Sequence, residues 1–131
     1  MVVDTSALMA ILLGEAERPV FETIILSAPA AVMSVVGVVE TTIALCGKRR
    51  DAEAARLDGL LADFGIEVSS VDPVQGAWAR QAFVRYGRGR HPAALNFGDC
   101  FSYALAKSLD IPLLFKGDDF SRTDIVPAWR P

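Results

Sequence analysis

Short apolar runs alternate with helix-like segments along this chain, and that alternation constrains the fold more than any other feature. Five runs predict strands: Met1–Asp4, Ala30–Ser34, Ile66–Val71, Pro112–Phe115 and the shorter Ile125–Val126. The helical segments are Ala7–Leu13, Pro19–Leu26, Val35–Cys46, Asp51–Phe64, Pro73–Tyr86 and Phe97–Leu109. Ser34 is the predicted cap of the helix over Val35–Cys46. Because strands separated by helices pair in parallel and carry helices on both faces, the pattern predicts an α/β fold with a parallel sheet.

The length and composition fit a single globular domain. The chain has 131 residues, of which 52% are hydrophobic and 22% are charged, so we expect one domain over residues 1–131 and little disorder. The formal net charge of −3 argues against a protein that coats nucleic acid through its overall charge. A local basic patch on an acidic body remains compatible with that charge.

Several kinds of site and location are excluded by what the sequence lacks. Cys46 and Cys100 are far apart and form no CxxC pair, which excludes a cysteine zinc module and a disulfide scaffold and predicts buried, free thiols. The chain opens without a basic segment before its first long apolar run, and the charge-free stretch Thr23–Val39 is short and contains Pro29. We therefore expect no signal peptide, no membrane helix and a cytoplasmic location.

Asp4 is the first acidic residue that the predicted fold singles out. It ends an apolar strand, where a carboxylate costs free energy unless it is paired, exposed or bound to a metal ion. Aspartate also suits the N-cap of the following helix, although Thr5 and Ser6 could cap that helix instead. A binding site and a helix cap therefore both remain open as the role of Asp4.

Glu40 is the only charged residue between Glu22 and Lys48, and it lies in the second turn of an otherwise apolar helix. A surface helix carries several charges on one face, so a single glutamate among valine and isoleucine favours a side chain that points into a polar site. The alternative is one solvent-facing position on a helix that is buried on its other sides.

Three further acids lie near predicted strand ends. Asp99 comes three residues after Asn96, the predicted cap of its helix, where an acidic side chain also suits a capping box and the helix dipole. Taken alone, Asp99 fits a local role as well as a functional one. Asp118 and Asp119 follow the fourth strand after Gly117, and taken alone they favour an ordinary turn.

The combination of these acids carries more weight than any one of them. The carboxyl ends of parallel strands meet at one edge of the sheet, where binding sites form, so the acids are expected to converge. Clustered carboxylates resist ionising together, and a divalent cation removes that conflict. The only histidine, His91, lies in a glycine-rich loop, so a set of oxygen ligands suits Mg²⁺ or Mn²⁺ and not zinc.

In these same segments the sequence resembles the PIN-domain ribonuclease toxins of the VapC type, which belong to type II toxin–antitoxin systems. Four motifs carry the resemblance: Val2-Val3-Asp4-Thr5-Ser6-Ala7, Val39-Glu40-Thr41, Asn96-Phe97-Gly98-Asp99-Cys100 and Leu113-Leu114-Phe115-Lys116-Gly117-Asp118-Asp119-Phe120. Together with the linking stretch Tyr86–Leu95, the resemblance covers nearly the whole chain. It implies a PIN-like α/β/α sandwich whose central, mainly parallel sheet has four to five strands covered by helices.

The resemblance also implies a set of four acidic residues that holds Mg²⁺, for which Mn²⁺ may substitute. Asp4 and Asp99 would be the principal metal ligands. Glu40 and Asp119 would bind the metal through water or orient the nucleophile, which makes all four catalytic. Asp118 is the second choice for the fourth acid, because relatives commonly have an aspartate directly before the phenylalanine.

Hydrogen bonds around the acids are expected from Thr5 and Ser6, which would support the metal ligands. Many relatives carry Thr-Arg-Asp or Thr-Arg-Asn after the last strand, whereas this chain has Phe115-Lys116-Gly117. The hydrogen bonding at that strand end is therefore expected to differ from theirs.

The activity that the resemblance implies is that of an endoribonuclease toxin, which hydrolyses RNA phosphodiester bonds without using the 2′-hydroxyl group as nucleophile. Its substrate would be tRNA or rRNA, and a small VapB-type antitoxin would neutralise it. A mean hydropathy of +0.34 is high for a chain of this size and agrees with apolar surface covered in an interface. The resemblance implies a homodimer and a toxin–antitoxin hetero-oligomer, and we expect no membrane partner.

A stretch without acids supplies the cationic surface that RNA would need. No acidic residue lies in the range 73–98, and its arginines are Arg80, Arg85, Arg88 and Arg90. Since arginine donates paired hydrogen bonds to phosphate, we predict RNA contacts by Arg85, Arg88 and Arg90. Lys116 beside the last strand is predicted to join them. Lys48–Arg50 is a second basic cluster, which cations at a helix end explain without RNA.

Two other functions stay open. A receiver-like signalling domain also has a parallel sheet, an acidic pocket and Mg²⁺. A receiver-like domain needs an acidic pair at the first strand and a phosphorylatable aspartate after the middle strand. Glu40 would have no role in such a domain. Labelling with a phosphodonor would test this alternative. A PIN-like scaffold that binds RNA or a partner without cleaving would have lost an acidic position, and none is lost here.

Overall fold

The four longer strand predictions are confirmed, and the strands pair in one parallel sheet. The computed structural model describes all 131 residues and contains β1 (Val2–Val3), β2 (Ala31–Ser34), β3 (Ile66–Ser69) and β4 (Leu113–Leu114). Their order across the sheet is β3-β2-β1-β4, so β1 lies between β2 and β4. The carboxyl ends of all four strands therefore lie at one edge of the sheet.

The fifth strand, predicted at Ile125–Val126, does not form. The backbone there still runs beside β4, because the Leu113 N–H donates to the Val126 carbonyl at 2.9 Å and the Ala128 N–H donates to the Leu113 carbonyl at 2.8 Å. Pro127 lies between these two contacts and has no N–H to donate, so the pairing stops at a single bridge.

Seven helices connect the strands. They are α1 (Thr5–Leu12), α2 (Arg18–Ser27), α3 (Val35–Gly47), α4 (Asp51–Ala55), α5 (Leu57–Asp63), α6 (Pro73–Tyr86) and α7 (Phe97–Leu109). The caps predicted at Ser34 for α3 and Asn96 for α7 are confirmed, whereas α1 is capped by Asp4 and not by Thr5 or Ser6. None of these helices combines the length and the apolar character that crossing a bilayer requires.

The prediction of a single helix over Asp51–Phe64 is wrong. Arg56, with φ −102° and ψ 3°, leaves the helical conformation and separates α4 from α5. No side chain of α4 is buried, whereas α5 buries Leu57 and Leu61. Because only α5 packs into the core, nothing holds the two segments on one helix axis.

Two apolar cores lie on opposite faces of the sheet and confirm the predicted α/β/α sandwich. Val2 and Leu113 pack with side chains of α6 and α7 on one face. Their neighbours Val3 and Leu114 pack with side chains of α1, α2 and α5 on the other face. The alternation follows from the strand geometry, since successive side chains of a strand point to opposite faces.

Both cysteines are free, as predicted, but only one of the two thiols is buried. Cys100 lies in the core formed by α6 and α7, whereas Cys46 is exposed in the last turn of α3. The prediction that Cys46 is buried is therefore wrong. Its helix buries only Gly37, Thr41 and Leu45, so most of its surface faces outward.

Candidate active site

Asp4 directly follows β1 in the middle of the sheet and is almost fully buried, with 2% of its surface exposed. Its Oδ2 atom accepts hydrogen bonds from the backbone N–H of Ser6 at 2.9 Å and from the Ser6 hydroxyl group at 2.5 Å. The Oδ1 atom accepts no hydrogen bond from the protein. Asp4 therefore caps α1 with one oxygen and keeps the other available for a ligand.

Ser6 joins the end of β1 to the end of β4. Its hydroxyl group donates to Asp4 and accepts a hydrogen bond at 3.0 Å from the backbone N–H of Lys116, which lies just after β4. The Asp4 carboxylate is thus held by a hydrogen-bonded chain that begins at the neighbouring strand. This contact gives Ser6 the supporting position that the sequence predicts.

Glu40 reaches the same edge of the sheet from α3, and its side chain is half-buried. Burial raises the pKa of Glu40, a hydrogen bond with Thr5 lowers it, and the charge of Asp4 raises it again. The Thr5 hydroxyl group also lies 3.3 Å from the Gly37 carbonyl, to which it donates. The Glu40 side chain therefore points into a polar site, as the sequence predicts, and Thr5 contacts it there.

Gly98 is a residue that sequence analysis missed. A methyl group at this position would overlap the Glu40 carboxylate, so glycine is what allows α7 to approach Glu40 so closely. The available signal was a glycine in the first turn of a helix, directly before Asp99. Glycine weakens a helix by about 1 kcal/mol relative to alanine, so its presence there needs a steric reason.

Asp99 lies in the first turn of α7 with 9% of its surface exposed. Its Oδ2 atom accepts from the Asn96 backbone N–H at 2.8 Å, and the Asn96 side chain accepts from the Asp99 N–H at 2.9 Å, which completes a capping box. Burial is the main cause that raises the pKa of Asp99 to about 7, the backbone hydrogen bond opposes it, and three nearby charges contribute to the rise: Asp4, Asp119 and Glu40. We call these four residues the acid cluster.

The two aspartates after β4 differ in their surroundings. Asp119 is exposed and lies close enough to Asp99 to raise its pKa, whereas Asp118 has no such effect. Asp118 lines a separate pocket, and its carbonyl accepts a hydrogen bond from the Ser121 hydroxyl group at 2.6 Å. The structure therefore groups Asp119 with the other acids and leaves Asp118 outside.

The acid cluster suits a hard divalent cation that keeps part of its water. Its donors are all carboxylate oxygens, and no lysine or arginine side chain forms an ion pair with any of them. No three acidic, histidine or cysteine side chains come close enough to hold an ion by themselves. Mg²⁺ is usually bound by one or two carboxylates together with water, so the chemistry of the donor set fits that ion. A bound cation would also offset the repulsion between carboxylates that contributes to the raised pKa of Asp99.

The arginines predicted to contact RNA lie at the end of α6 and in the following loop. The Arg85 guanidinium group lies 3.8 Å from the Asp124 carboxylate. Arg88 and Arg90 are exposed and form no ion pair. The Arg88 backbone N–H donates to the Leu95 carbonyl at 2.9 Å, which brings the loop back to the start of α7. Arg88 therefore lies near the helix end that carries part of the acid cluster.

Lys116 has partners that the sequence did not predict. Its ammonium group lies 2.7 Å from a carboxylate oxygen of Glu15 and 2.9 Å from one of Glu17. These contacts raise the pKa of Lys116 and lower the pKa of Glu17. Its charge is already balanced, which differs from the expectation that this side chain contacts RNA. The backbone N–H, and not the ammonium group, is the part of Lys116 that reaches Ser6.

Known proteins resemble this chain over its whole length. The PIN domain family matches residues 1–126. Ribonuclease VapC42 of Mycobacterium tuberculosis is 48% identical over 130 residues, which cover 98% of each chain. Ribonuclease VapC of Mycolicibacterium smegmatis is 44% identical over 125 residues, which cover 95% of this chain and 97% of that protein.

Two solved structures share the fold. Mycobacterium tuberculosis VapC20, described as a toxin that cleaves the sarcin–ricin loop, matches with a TM-score of 0.74 and 25% identity, over 99% of this chain and 98% of that one. A chain in a toxin–antitoxin complex from Klebsiella pneumoniae matches with a TM-score of 0.72 over 99% of this chain and 98% of that one. Its identity is 14%, so this second likeness concerns the fold alone.

Proposed function

The chain belongs to the PIN-domain family and is a VapC-type ribonuclease toxin, and we propose that its acid cluster hydrolyses RNA phosphodiester bonds with the help of Mg²⁺. The observation that supports the proposal is the position of the Glu40 carboxylate against Gly98, directly before Asp99, with Asp4 and Asp119 near enough to affect the pKa of Asp99. Buried acids without a cationic partner cost stability, which is understandable if they serve a ligand. In this proposal, residues 1–131 act as one PIN domain.

Asp4 and Asp99 are the proposed metal ligands. Each is buried, and each has one carboxylate oxygen held by hydrogen bonds from its own helix start, which leaves the second oxygen for an ion. When bound, Mg²⁺ supplies positive charge for the phosphodiester group and lowers the pKa of the attacking water. Mn²⁺ accepts the same oxygen donors and could replace Mg²⁺.

Glu40 and Asp119 are proposed to act beside the ligands. The raised pKa of Glu40 means that this carboxylate takes up a proton more readily than an exposed glutamate, which suits it to receive a proton from the attacking water. Thr5 and the close approach of Gly98 keep it in position. Asp119 is exposed and is proposed to bind the ion through water, whereas Asp118 lies outside the acid cluster and has no part in the proposal.

The proposal is tested by incubating total cellular RNA with purified, antitoxin-free protein and Mg²⁺. We expect discrete fragments that disappear in EDTA, and cleavage that falls about 100-fold or more in Asp4→Asn and in Asp99→Asn, because each variant loses a charged ligand. Asp58→Asn is the matched control, since this aspartate is exposed on α5 and makes no ion pair. Cleavage that persists in EDTA and in both variants would contradict metal-assisted hydrolysis.

The proposed substrate is a structured RNA, either tRNA or rRNA. Arg88 and Arg90 support this assignment, because their guanidinium groups form no ion pair and their loop returns to the start of α7. Arg85 would have to leave Asp124 to join them. An RNA of this kind implies a cytoplasmic location. The ends of the fragments in the cleavage assay would identify the RNA and the position of the cut.

A small VapB-type antitoxin and a second copy of the chain are the proposed protein partners. Large apolar side chains are exposed on α3 and at the start of α7: Val35, Val39, Ile43 and Phe97. Exposed apolar patches of this kind are usually covered in an interface. Light scattering of the purified toxin is expected to give the mass of two chains, and a monomer at high concentration would contradict the homodimer.

A further inference from the structure

A cavity of about 570 Å³ lies beside the segment that follows β4. We call it the Trp129 pocket, and its wall includes Glu17, Lys116, Asp118, Ser121, Trp129 and Arg130. Pockets for small molecules commonly measure about 300 to 1,000 Å³, so the Trp129 pocket has room for a ligand the size of a nucleotide.

The Trp129 pocket and the acid cluster share the turn after β4. Lys116 lines the pocket, and its backbone N–H donates to Ser6, whose hydroxyl group donates to Asp4. Asp118 lines the pocket, and the next residue, Asp119, belongs to the acid cluster. Because adjacent residues lie about 3.8 Å apart along the backbone, the two sites are close enough for us to place them along one RNA strand.

The carboxylates of the pocket suit a nucleobase better than a phosphate. Glu17 and Asp118 repel an anion, but carboxylates accept hydrogen bonds from the amino groups of bases. The Oε2 atom of Glu17 is buried without a hydrogen bond of good geometry, and the Lys116 ammonium group lies 2.9 Å from it. The buried Oε2 atom therefore belongs to Lys116, and the Oε1 atom is the one left to accept from a base.

The remaining wall of the pocket offers an aromatic ring and a free cation. Trp129 is half-buried, and its ring packs edge-on against Phe21 with the centroids 5.2 Å apart, which holds the ring in place. Arg130 is exposed and forms no ion pair, so its guanidinium group is available to a phosphate at the pocket entrance. The two cations Lys116 and Arg130 also disfavour a lysine or arginine side chain as the occupant.

We propose that the Trp129 pocket binds the base next to the scissile phosphate and prefers bases with an amino group, namely guanine, adenine and cytosine, over uracil. Glu17 accepts from the amino group, the Trp129 ring contacts the base, and Arg130 binds the adjoining phosphate. The inference rests on the proposed ribonuclease function and specifies its substrate. In this proposal Glu17 determines which base is preferred, whereas the four residues of the acid cluster do not.

Binding is tested with the four 5′-mononucleotides GMP, AMP, CMP and UMP. Trp78→Phe leaves Trp129 as the sole tryptophan, so its indole N–H resonance in ¹⁵N-labelled protein reports on the pocket alone. We expect this resonance to shift, with UMP binding about ten-fold or more weakly, because uracil has a carbonyl oxygen, which a carboxylate repels, where cytosine has its amino group. No shift with any nucleotide, or equal binding of UMP, overturns the proposal. A basic peptide that shifts the resonance where nucleotides do not also overturns it, in favour of a protein ligand.

Two glutamates provide a matched pair of variants. Glu15→Gln and Glu17→Gln each remove one carboxylate from Lys116, but only Glu17 lines the pocket. We expect Glu17→Gln to lose the preference against UMP and Glu15→Gln to keep it, and equal behaviour of the two overturns the proposal. Arg130→Gln does not disturb Lys116 and should weaken binding of all four nucleotides by a similar factor. A selective loss of one base in Arg130→Gln contradicts the phosphate role.

The ends of RNA fragments provide a second measurement. We expect the wild type to leave an amino-bearing base at a fixed position beside the cut, and Glu17→Gln to lose that preference while it still cleaves. Uracil at that position in most wild-type fragments overturns the proposal. Failure of the pocket proposal leaves cleavage by the wild type in Mg²⁺ intact, whereas failure of the proposed function removes cleavage itself, so the two failures are distinguishable.

Discussion

Two groups of carboxylates lie near the ends of β1 and β4. They differ in whether a cationic side chain accompanies them. Glu15 and Glu17 share the ammonium group of Lys116, which lowers the pKa of Glu17. The acid cluster has no cation among its side chains, and the pKa of Asp99 is raised to about 7. One group therefore carries its own counter-charge, and the other lacks it.

The difference separates carboxylates that stabilise the fold from carboxylates that we propose bind a ligand. Exposed ion pairs stabilise a protein modestly, whereas unbalanced buried acids destabilise it until a cation or a proton arrives. The two groups are also connected, because Lys116 pairs with glutamates through its side chain and with Ser6 through its backbone. Substitutions in either group can therefore test whether the two groups differ in their counter-charge.

The largest expected effect is the pH dependence of stability that Asp99 imposes. Its pKa is about 7 in the folded protein and has an ordinary value of 3.8 in the unfolded chain. As the pH rises from about 4 to about 7, the unfolded chain releases this proton first, so the free energy of unfolding falls. One pKa unit corresponds to about 1.4 kcal/mol, so the fall is on the order of 3 kcal/mol. Urea unfolding of the metal-free protein across this range measures it.

Asp99→Asn is expected to remove most of this pH dependence, because asparagine does not titrate, and Asp58→Asn is expected to leave it unchanged. Mg²⁺ should stabilise the wild type more at pH 8 than at pH 6, since a cation favours the ionised form of Asp99. If the free energy of unfolding of Asp99→Asn fell with pH as steeply as that of the wild type, the acid cluster would not carry unbalanced charge.

Gly98→Ala should disturb the acid cluster through shape and leave its charge unchanged. The added methyl group overlaps the Glu40 carboxylate, which is the end of a flexible side chain, so Glu40 must move aside while the loss of stability stays small. We expect about a ten-fold loss of RNA cleavage, because small displacements in an active site are costly. Gly47→Ala is the matched control, since an alanine in that helix position meets no other atom. Equal effects of the two variants on cleavage would argue against a role for the Gly98 contact.

Ser6→Ala breaks the connection between the two groups. It removes the hydroxyl group that donates to Asp4 and accepts from the Lys116 backbone, at a cost of about 1 to 3 kcal/mol in unfolding free energy. We expect a higher Mg²⁺ concentration for half-maximal cleavage, by about ten-fold, because Asp4 loses its support. Ser121→Ala removes an exposed hydroxyl group and should leave the Mg²⁺ requirement unchanged. An unchanged requirement in Ser6→Ala would mean that Asp4 is positioned without this chain of hydrogen bonds.

Lys116→Met should have the smallest effect, although it removes the counter-charge of two glutamates. The three side chains are partly exposed to water, so the melting temperature should fall only slightly, and high salt should reduce the difference from the wild type. Lys48→Met is the control, since Lys48 is exposed and forms no ion pair. A larger fall in melting temperature that persists in high salt would mean that Glu15 and Glu17 behave like the buried acids and not like the carboxylates of surface ion pairs.

Much of the fold was predictable because its signals are local. The caps Ser34 and Asn96 and the bounds of α6 (Pro73–Tyr86) were predicted correctly, since each depends on hydrogen bonds between residues a few positions apart. The break at Arg56 was not predicted, because the apolar spacing of that segment fits one helix as well as two. Burial of α5 but not of α4 separates them, and burial depends on the rest of the molecule.

The candidate site divides in the same way. Asp4, Glu40, Asp99 and Asp119 were candidates from the sequence, because Asp4 and Asp119 follow strands whose carboxyl ends meet at one edge of the sheet and all four lie in motifs that resemble the family. The position of Gly98 against Glu40 was not, and neither was the pairing of Lys116 with Glu15 and Glu17. Those contacts join segments that the sequence alone does not bring together.

The sequence by itself determined the α/β fold, the family resemblance and the identity of the acids, because strand and helix periodicity and short motifs are properties of neighbouring residues. Only the tertiary structure decided which acids have a counter-charge and which do not. It also placed Asp119 with the acid cluster and Asp118 in the Trp129 pocket, although the two are adjacent in the chain. The physical reason is that charge balance and burial depend on distances across the folded chain, and those distances exist only once the sheet and its two cores have formed.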